Sequence, residues 1–346
     1  MKLMTGLLGV LIVFLSSAMP PRVVHGYVFR FENVLGTSLE LKVRTVSRGE
    51  SSKAESAVMR EISRLSAILS GYDSGSEFSR WRRTSDEPVR VSPELYEVLS
   101  LFDQWRERTG GALDASAEAV TRRWKAAAAQ NRLPTDSELA AAVAEVREVH
   151  WKLDPLNHTA THIGRAPLML NSFAKSYIIR RAADAGMAAG NIDGIVVNIG
   201  GDIVVAGSQP EDVLISNPVS DAENEMPMDR VRVRGRAVAT SGNYRRGELI
   251  LGRWYSHIVD PRTGQPAGSV LSATVVAPSA TDAGALATVF NVLSTDESIQ
   301  LAAGMPGIDY LIITKDGRRV ESAGWRGWSL PAPGRPRPGR RMITSC

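Results

Sequence analysis

The residues able to do chemistry in this chain gather in four glycine-marked segments: TGGALDAS at 109–116, LNSFAKS at 170–176, NIGGD at 198–202, and the stretch between ATSGNYRR and YSHIVDPRTGQP at 239–266. Adjacent glycines beside an aspartate let backbone amides approach a ligand closely, as a phosphate requires. Each segment also has a plainer reading. Gly200-Gly201 serves equally as a strand break with Asp202 as a turn residue. SHIVDPRTG, with a buried-looking His257 followed by a strand and a Pro261–Gly264 turn, serves equally as a hairpin corner.

Periodicity and end signals supply the elements that must position these segments. YVFRFENVLGTSLELKVRT alternates apolar and polar residues around one glycine interruption, which predicts two strands and a tight turn. Helical spacing over 53–70 stops at Ser-Gly-Tyr. In SPELYEVLSLFDQWRERTGG, Ser92 sits at an N-cap, Pro93 at the first helical position and glycines at the end. Thr135 and Glu138 form a capping box ahead of another amphipathic helix. NSFAKSYIIRRAADAGMAAG reads as a helix stopped by glycine, GIVVNIGGDIVVAG as two buried strands, and RVRVRGRAVATSGNY as further strand. A hairpin at GELILGRWYSHIVDP, a strand at LSATVVA, a helix from about Asp282 to Leu293 and a strand pair at DYLIITKDGRRVES complete the order. Strands and helices mix without a regular βαβ beat, so the expected class is α+β, with mixed sheets and packed helices in a single large unit.

Composition allows a substantial core: 43% of the 346 residues are hydrophobic and 23% charged, the balance of a globular protein. Much of the net charge of +4 sits in the tail PAPGRPRPGRRMITSC, which is too poor in apolar surface to order itself. No basic face with interleaved aromatics appears before it, so nucleic acid is not an expected partner. The first 26 residues carry Lys2, an apolar run from Leu7 to Leu15, then small residues and prolines. That layout is a secretory signal, short for a membrane span, with cleavage after Ala18 or Gly26. Cys346 is the sole cysteine, and export without disulfides fits a bacterial periplasm. An uncleaved leader would anchor the chain at the inner membrane instead. The expected organisation is a leader at 1–26, a catalytic unit at 27–330 and a basic tail at 331–346.

In order and wording, VLGTSLELKV, SGYDSGSEFSRW, FAKSY, NIGGDI, TSGNYRR, YSHIVDPRTGQP and SATVVAPSATDAGALAT resemble the ApbE family of FAD:protein FMN transferases, from about Phe29 to Asp316. The resemblance implies an exported protein that binds FAD and magnesium, cleaves the FAD diphosphate, and joins FMN to a serine or threonine of a flavin-accepting membrane redox protein. Such phosphoryl transfer rests on positioning and on charge neutralisation by the metal. Carried over residue by residue, Leu35 takes the place of a flavin-contacting methionine and Tyr72 that of an aromatic flavin contact. Ala112, Leu113 and Asp114 match an Ala-Phe-Asp turn, with leucine for phenylalanine. Lys175 matches a lysine near the cofactor, and His257 and Ile258 match the segment beside the nucleotide. Thr288 matches a metal ligand, and Ser172 falls where a backbone carbonyl binds the metal.

Two positions depart from the family pattern. Met169 stands where the family has an aspartate six residues before the lysine, and a thioether accepts only weak hydrogen bonds. Gly284 stands where the family has a metal-binding aspartate four residues before the threonine, on the same helical face. Asp282 is the nearest replacement. On a regular helix it lies roughly 120° from the Thr288 face; as an N-cap at a bend, its carboxylate would turn inward. Loss of these groups leaves two alternatives open: a non-catalytic FAD-binding protein, or an FAD diphosphatase giving FMN and AMP.

Overall fold

The chain first folds back on itself at Leu35-Gly36, which joins strand β1 (His25–Val34) to β2 (Thr37–Thr45). Both loop residues have positive φ, +50° and +78°, the geometry of a two-residue turn whose twist matches the strands it connects. In the computed structural model, residues 23–219, 226–243 and 246–330 are described; the leader up to residue 22 and the tail from 331 lie outside the described residues. β1 begins at His25, two residues inside the expected leader, with His25 opposite Thr45 and Gly26 opposite Arg44. Cleavage after Gly26 would remove both pairs, whereas cleavage after Ala18 keeps the strand whole.

Helix α1 (Arg48–Leu69) starts five residues earlier than the periodicity predicts, because Ser47 accepts from the Glu50 N–H and caps it. Its Ala54, Val58, Ile62 and Leu65 recur at helical spacing and are buried. Then follow α2 (Glu77–Trp81), β3 (Pro88–Arg90) and α3 (Pro93–Arg108), the last capped by Ser92. A 3-10 turn at Ala115–Ala117 leads into α4 (Glu118–Ala129), and the Thr135–Glu138 capping box opens α5 (Asp136–Arg147). β4 (Trp151–Asp154) and β5 (Thr159–His162) pair with β3 in a small sheet.

The second half supplies α6 (Ala174–Met187), β6 (Ile192–Ile199), β7 (Asp202–Gly207), β8 (Glu211–Ile215), β9 (Asp229–Val233), β10 (Arg236–Gly242), β11 (Gly247–Ile250), β12 (Arg253–Ser256) and β13 (Val270–Ala277). The last elements are α7 (Ala280–Val292), α8 (Thr295–Ala303), β14 (Asp309–Thr314), β15 (Arg319–Glu321) and α9 (Trp325–Trp328). An antiparallel sheet of eight strands, ordered β1-β2-β6-β7-β10-β13-β14-β15, forms the frame.

Alternate side chains along each strand enter separate cores. Leu39, Leu41, Val43, Ile195 and Val197 join the cluster that buries α1, α6 and α7. Val196, Val205, Val238, Val276, Leu311 and Ile313 face the hairpin β8–β9 and Trp325 of α9. With both faces covered, strands such as GIVVNI and SATVVA read as continuous apolar runs. A third cluster, around Trp124, Leu139, Ile250 and Val259, seats the β11–β12 hairpin on α4 and α5. The α+β class expected from the sequence is the class observed.

Candidate active site

The N-terminus of α6 is where the predicted site begins to assemble. Phe173 precedes the helix and no side chain caps it; the Ala174 N–H donates to Leu170 O at 3.1 Å, and the positive end of the helix dipole lies here. Phe173 is held from below by Phe102 of α3, the rings stacked at 4.3 Å. Lys175, in the first turn, adds a cation at this positive end and pairs with Asp202 (Nζ to Oδ2, 3.1 Å).

Asp202 is the first residue of β7. The two-residue turn Gly200-Gly201 places it there, both glycines at positive φ, +59° and +92°. Ser176 donates to the same oxygen at 3.2 Å. The Asp202 side chain is only 14% exposed. Burial raises its pKa above the ordinary aspartate value, against the lowering pull of Lys175 and Ser176. The sequence allows Asp202 equally as a turn residue and as the aspartate beside a ligand-approaching Gly-Gly; the structure makes it the first residue of β7, paired with Lys175.

Helix α7 crosses α6 at Gly284 and Thr288. Thr288 Oγ1 meets the Ser172 carbonyl at 3.2 Å and the Gly284 carbonyl at 3.1 Å. The second contact is the usual helical back-bond of a threonine; the first ties α7 to the segment just before α6 and brings together the pair that the family resemblance matches to the metal. At Gly284 the packing is tight. A Cβ there would lie 3.0 Å from Ser176 Cβ and well inside contact with Ser176 Oγ. The helix starts on Ser279, whose Oγ accepts from the Asp282 N–H, so Asp282 is the third helical residue and not the cap. No bend turns Asp282 inward, and a regular helix aims it roughly 120° from Thr288. Its pKa is raised by burial, with Arg108 and Ser279 pulling it down.

Leu35 and Tyr72 reach this region from two sides. The Gly200 N–H donates to Ser38 O at 3.2 Å, so the Leu35-Gly36 turn stands beside the turn that carries Asp202. Tyr72 is 80% exposed, and its hydroxyl accepts from Asn171, the neighbour of Ser172, at 2.7 Å. Met169 packs under Gly71 beside Arg82, whose guanidinium donates to Leu168 O at 2.8 Å. Burial lowers the Arg82 pKa, and neighbouring Arg122 and Arg83 lower it further.

Ala112, Leu113 and Asp114 form a buried second group. Asp114 Oδ1 accepts from the Ser116 N–H and hydroxyl at 2.8 and 2.6 Å, and Oδ2 pairs with Arg106 at 2.9 Å. A cleft of about 530 Å³ brings this turn against the DPRTG loop, with Arg106, Gly110, Gly111, Asp114, Pro261 and Arg262 on its walls. Lys175, Asp202 and Thr288 do not line it. His257, expected buried, is exposed: it follows the last residue of β12, and its ring folds back to Arg246 O at 2.9 Å. Ile258 is buried beside it. Asn243 and Ser256 lock this segment to β10, and Asn291 ties β10 to α7 through Ser241 O at 3.2 Å.

Hard oxygen donors at Ser172 O and Thr288 Oγ1 suit magnesium, which takes about six oxygens and draws several from phosphate and water. Among the described residues no three His, Cys, Asp or Glu side chains gather about one point. The donor set therefore fits a cation shared with a phosphate ligand, and does not make a closed protein cage.

The model of the ApbE family matches residues 35–312. A Treponema pallidum FAD:protein FMN transferase is 29% identical over 319 residues, spanning 85% of this chain and 86% of that one. A Vibrio cholerae FAD:protein FMN transferase is 29% identical over 293 residues, spanning 82% and 86%. Among solved structures, the Thermotoga maritima ApbE protein superposes with a TM-score of 0.77 at 25% identity, over 88% of this chain and 100% of that one. The Vibrio cholerae flavin transferase ApbE gives 0.73 at 25% identity, over 88% and 100%.

Proposed function

Because the chain belongs to the ApbE family, we propose that it is an FAD:protein FMN transferase, which moves FMN from FAD to a threonine or serine of an acceptor protein and releases AMP. The acceptor oxygen bonds to the FMN phosphorus as the bond from that phosphorus to the bridging diphosphate oxygen breaks. AMP leaves with that oxygen and the hydroxyl's proton. No nucleophile is needed from this chain, in keeping with a site built of Lys175 paired to Asp202, hydroxyls, carbonyls and amides.

The observation that carries the reading is that Thr288 Oγ1 meets Ser172 O at 3.2 Å just ahead of α6, whose first turn carries Lys175 and has no side-chain cap. A helix N-terminus with a lysine attracts a diphosphate and holds its oxygens in place. Magnesium, when bound, neutralises charge on the diphosphate; Ser172 and Thr288 are the residues that would hold it. Carried over from the family, Leu35, Tyr72 and the turn Ala112-Leu113-Asp114 are the residues that would hold the flavin, and His257 and Ile258 those that would flank the nucleotide.

The apolar run from Leu7 to Leu15 supports export to the periplasm, where the acceptor is a membrane redox protein. Among the described residues no helix is long and apolar enough to cross a membrane.

Gly284 and Met169 favour a second reading, a non-catalytic FAD-binding protein. One incubation separates the two: the chain lacking its leader, FAD, magnesium and a flavin-accepting domain, read by fluorescence of the denatured acceptor and by free AMP. Fluorescent acceptor with AMP supports the transferase. AMP alone identifies a diphosphatase, and bound FAD with neither product identifies the binding protein.

A further inference from the structure

Residues 176 and 284 compete for one volume. A side chain at 284 must start where the Ser176 hydroxyl stands, 3.0 Å from its Cβ, with Phe173 Cβ 3.5 Å away on the other side. Ser176 is 3% exposed and lies on a packed helix face between buried Ala174 and Tyr177, so it has no solvent to retreat into. A side chain at 284 thus forces Ser176 to move, and Gly284 and Ser176 fit together as a pair.

Ser176 also has a task of its own. Its hydroxyl donates to Asp202 Oδ2 at 3.2 Å, the oxygen that Lys175 holds at 3.1 Å. Both contacts use Oδ2, and the described residues give Oδ1 no partner. A buried carboxylate therefore stands next to the volume from which a side chain at 284 would have projected. It comes from β7 instead of α7.

We propose that Ser176 and Gly284 form a steric pair that moves the acidic ligand of this site from α7 to Asp202, with Lys175 and Ser176 fixing Oδ2 and leaving Oδ1 for the cation beside Ser172 O and Thr288 Oγ1. The assignment rests on the FAD and magnesium binding proposed above. It also explains why restoring an acidic side chain at 284 alone does not rebuild the site: overpacking against Ser176 comes first.

Two comparisons test it. The first uses ligand-free protein and thermal unfolding of the wild type, Gly284→Asp, Ser176→Gly and the double variant. Gly284→Asp lowers the midpoint by roughly 5 °C in the wild-type background, and Ser176→Gly restores most of that loss. An equal loss in both backgrounds overturns the steric pairing. The second measures how far FAD raises the midpoint with and without magnesium. Asp202→Asn abolishes the magnesium-dependent part and keeps the rise due to FAD alone, while adding Ser176→Gly and Gly284→Asp to Asp202→Asn restores magnesium dependence. A full magnesium-dependent rise in Asp202→Asn overturns the role of Asp202. A wild type that FAD does not stabilise with or without magnesium refutes the proposed function, and the role of Asp202 with it; the steric pairing is still decided by the first comparison.

Discussion

Thr288→Val separates a ligand hydroxyl from an ordinary helical back-bond, because it removes Oγ1 and almost nothing else. Two contacts disappear, 3.2 Å to Ser172 O and 3.1 Å to Gly284 O. The second is local to α7, so only the first ties α7 to another part of the chain, the segment before α6. One such hydrogen bond contributes about 1 kcal/mol, which for a domain this large is a shift of roughly 2–4 °C in the unfolding midpoint. If the hydroxyl serves only packing, that is the whole effect, and FMN transfer per folded molecule is unchanged. If it also holds the cation, the loss is of another size. Outer-shell partners of a metal already account for about 10–100-fold, so a direct ligand should reach at least ~100-fold, near 2.7 kcal/mol of transition-state stabilisation. Transfer is followed by acceptor fluorescence across a magnesium titration. Thr288→Val is expected to be slow and partly rescued by excess magnesium, and Thr288→Ser close to wild type. A valine variant within about twofold of wild type, with the same magnesium dependence, refutes the ligand assignment.

Three further outcomes follow from the geometry. Burial raises the Asp202 pKa, so this group's contribution to stability is present below the ordinary aspartate value and is lost as pH rises through its raised one. Asp202→Asn is free of that loss, and its midpoint relative to wild type should climb as pH rises above about 4, the ordinary aspartate value, in a scanning-fluorimetry series. Asp114→Ala removes the buried cap of the turn before α4 and the partner of half-buried Arg106, and should destabilise the fold by about 2–3 kcal/mol in urea unfolding. Tyr72→Ala should leave stability within about 0.5 kcal/mol, since the ring is 80% exposed, and weaken FAD binding by about 1–3 kcal/mol through lost stacking, read by fluorescence titration.

Local signals carried most of the secondary structure. Ser92 with Pro93, and Thr135 with Glu138, cap the helices their spacing predicts, and the Gly-Gly break in NIGGD is a two-residue hairpin turn. α7 starts two residues earlier than expected because SATDAG holds three residues able to cap it, Ser279, Thr281 and Asp282; Ser279 takes the cap and Asp282 falls within the first turn. His257 was read as buried from its apolar neighbours, yet alternation along the segment sends Ser256 and Ile258 inward and His257 outward. The clash between residues 176 and 284 was invisible for a different reason. It lies between two helices far apart in the chain, and no spacing rule encodes where one helix crosses another. For the same reason Asp202 gained meaning only when β7 was seen beside α6.

The first strand also fixes how the site is carried. β1 enters at His25 and ends at Val34, next to Leu35, so the start of the described chain and the turn beside the site stand at opposite ends of one strand, bulged between Phe31 and Val34. At the rise of a β-strand that separation is about 30 Å. Anything held at the N-terminal end of β1 is kept about that far from the Leu35-Gly36 turn.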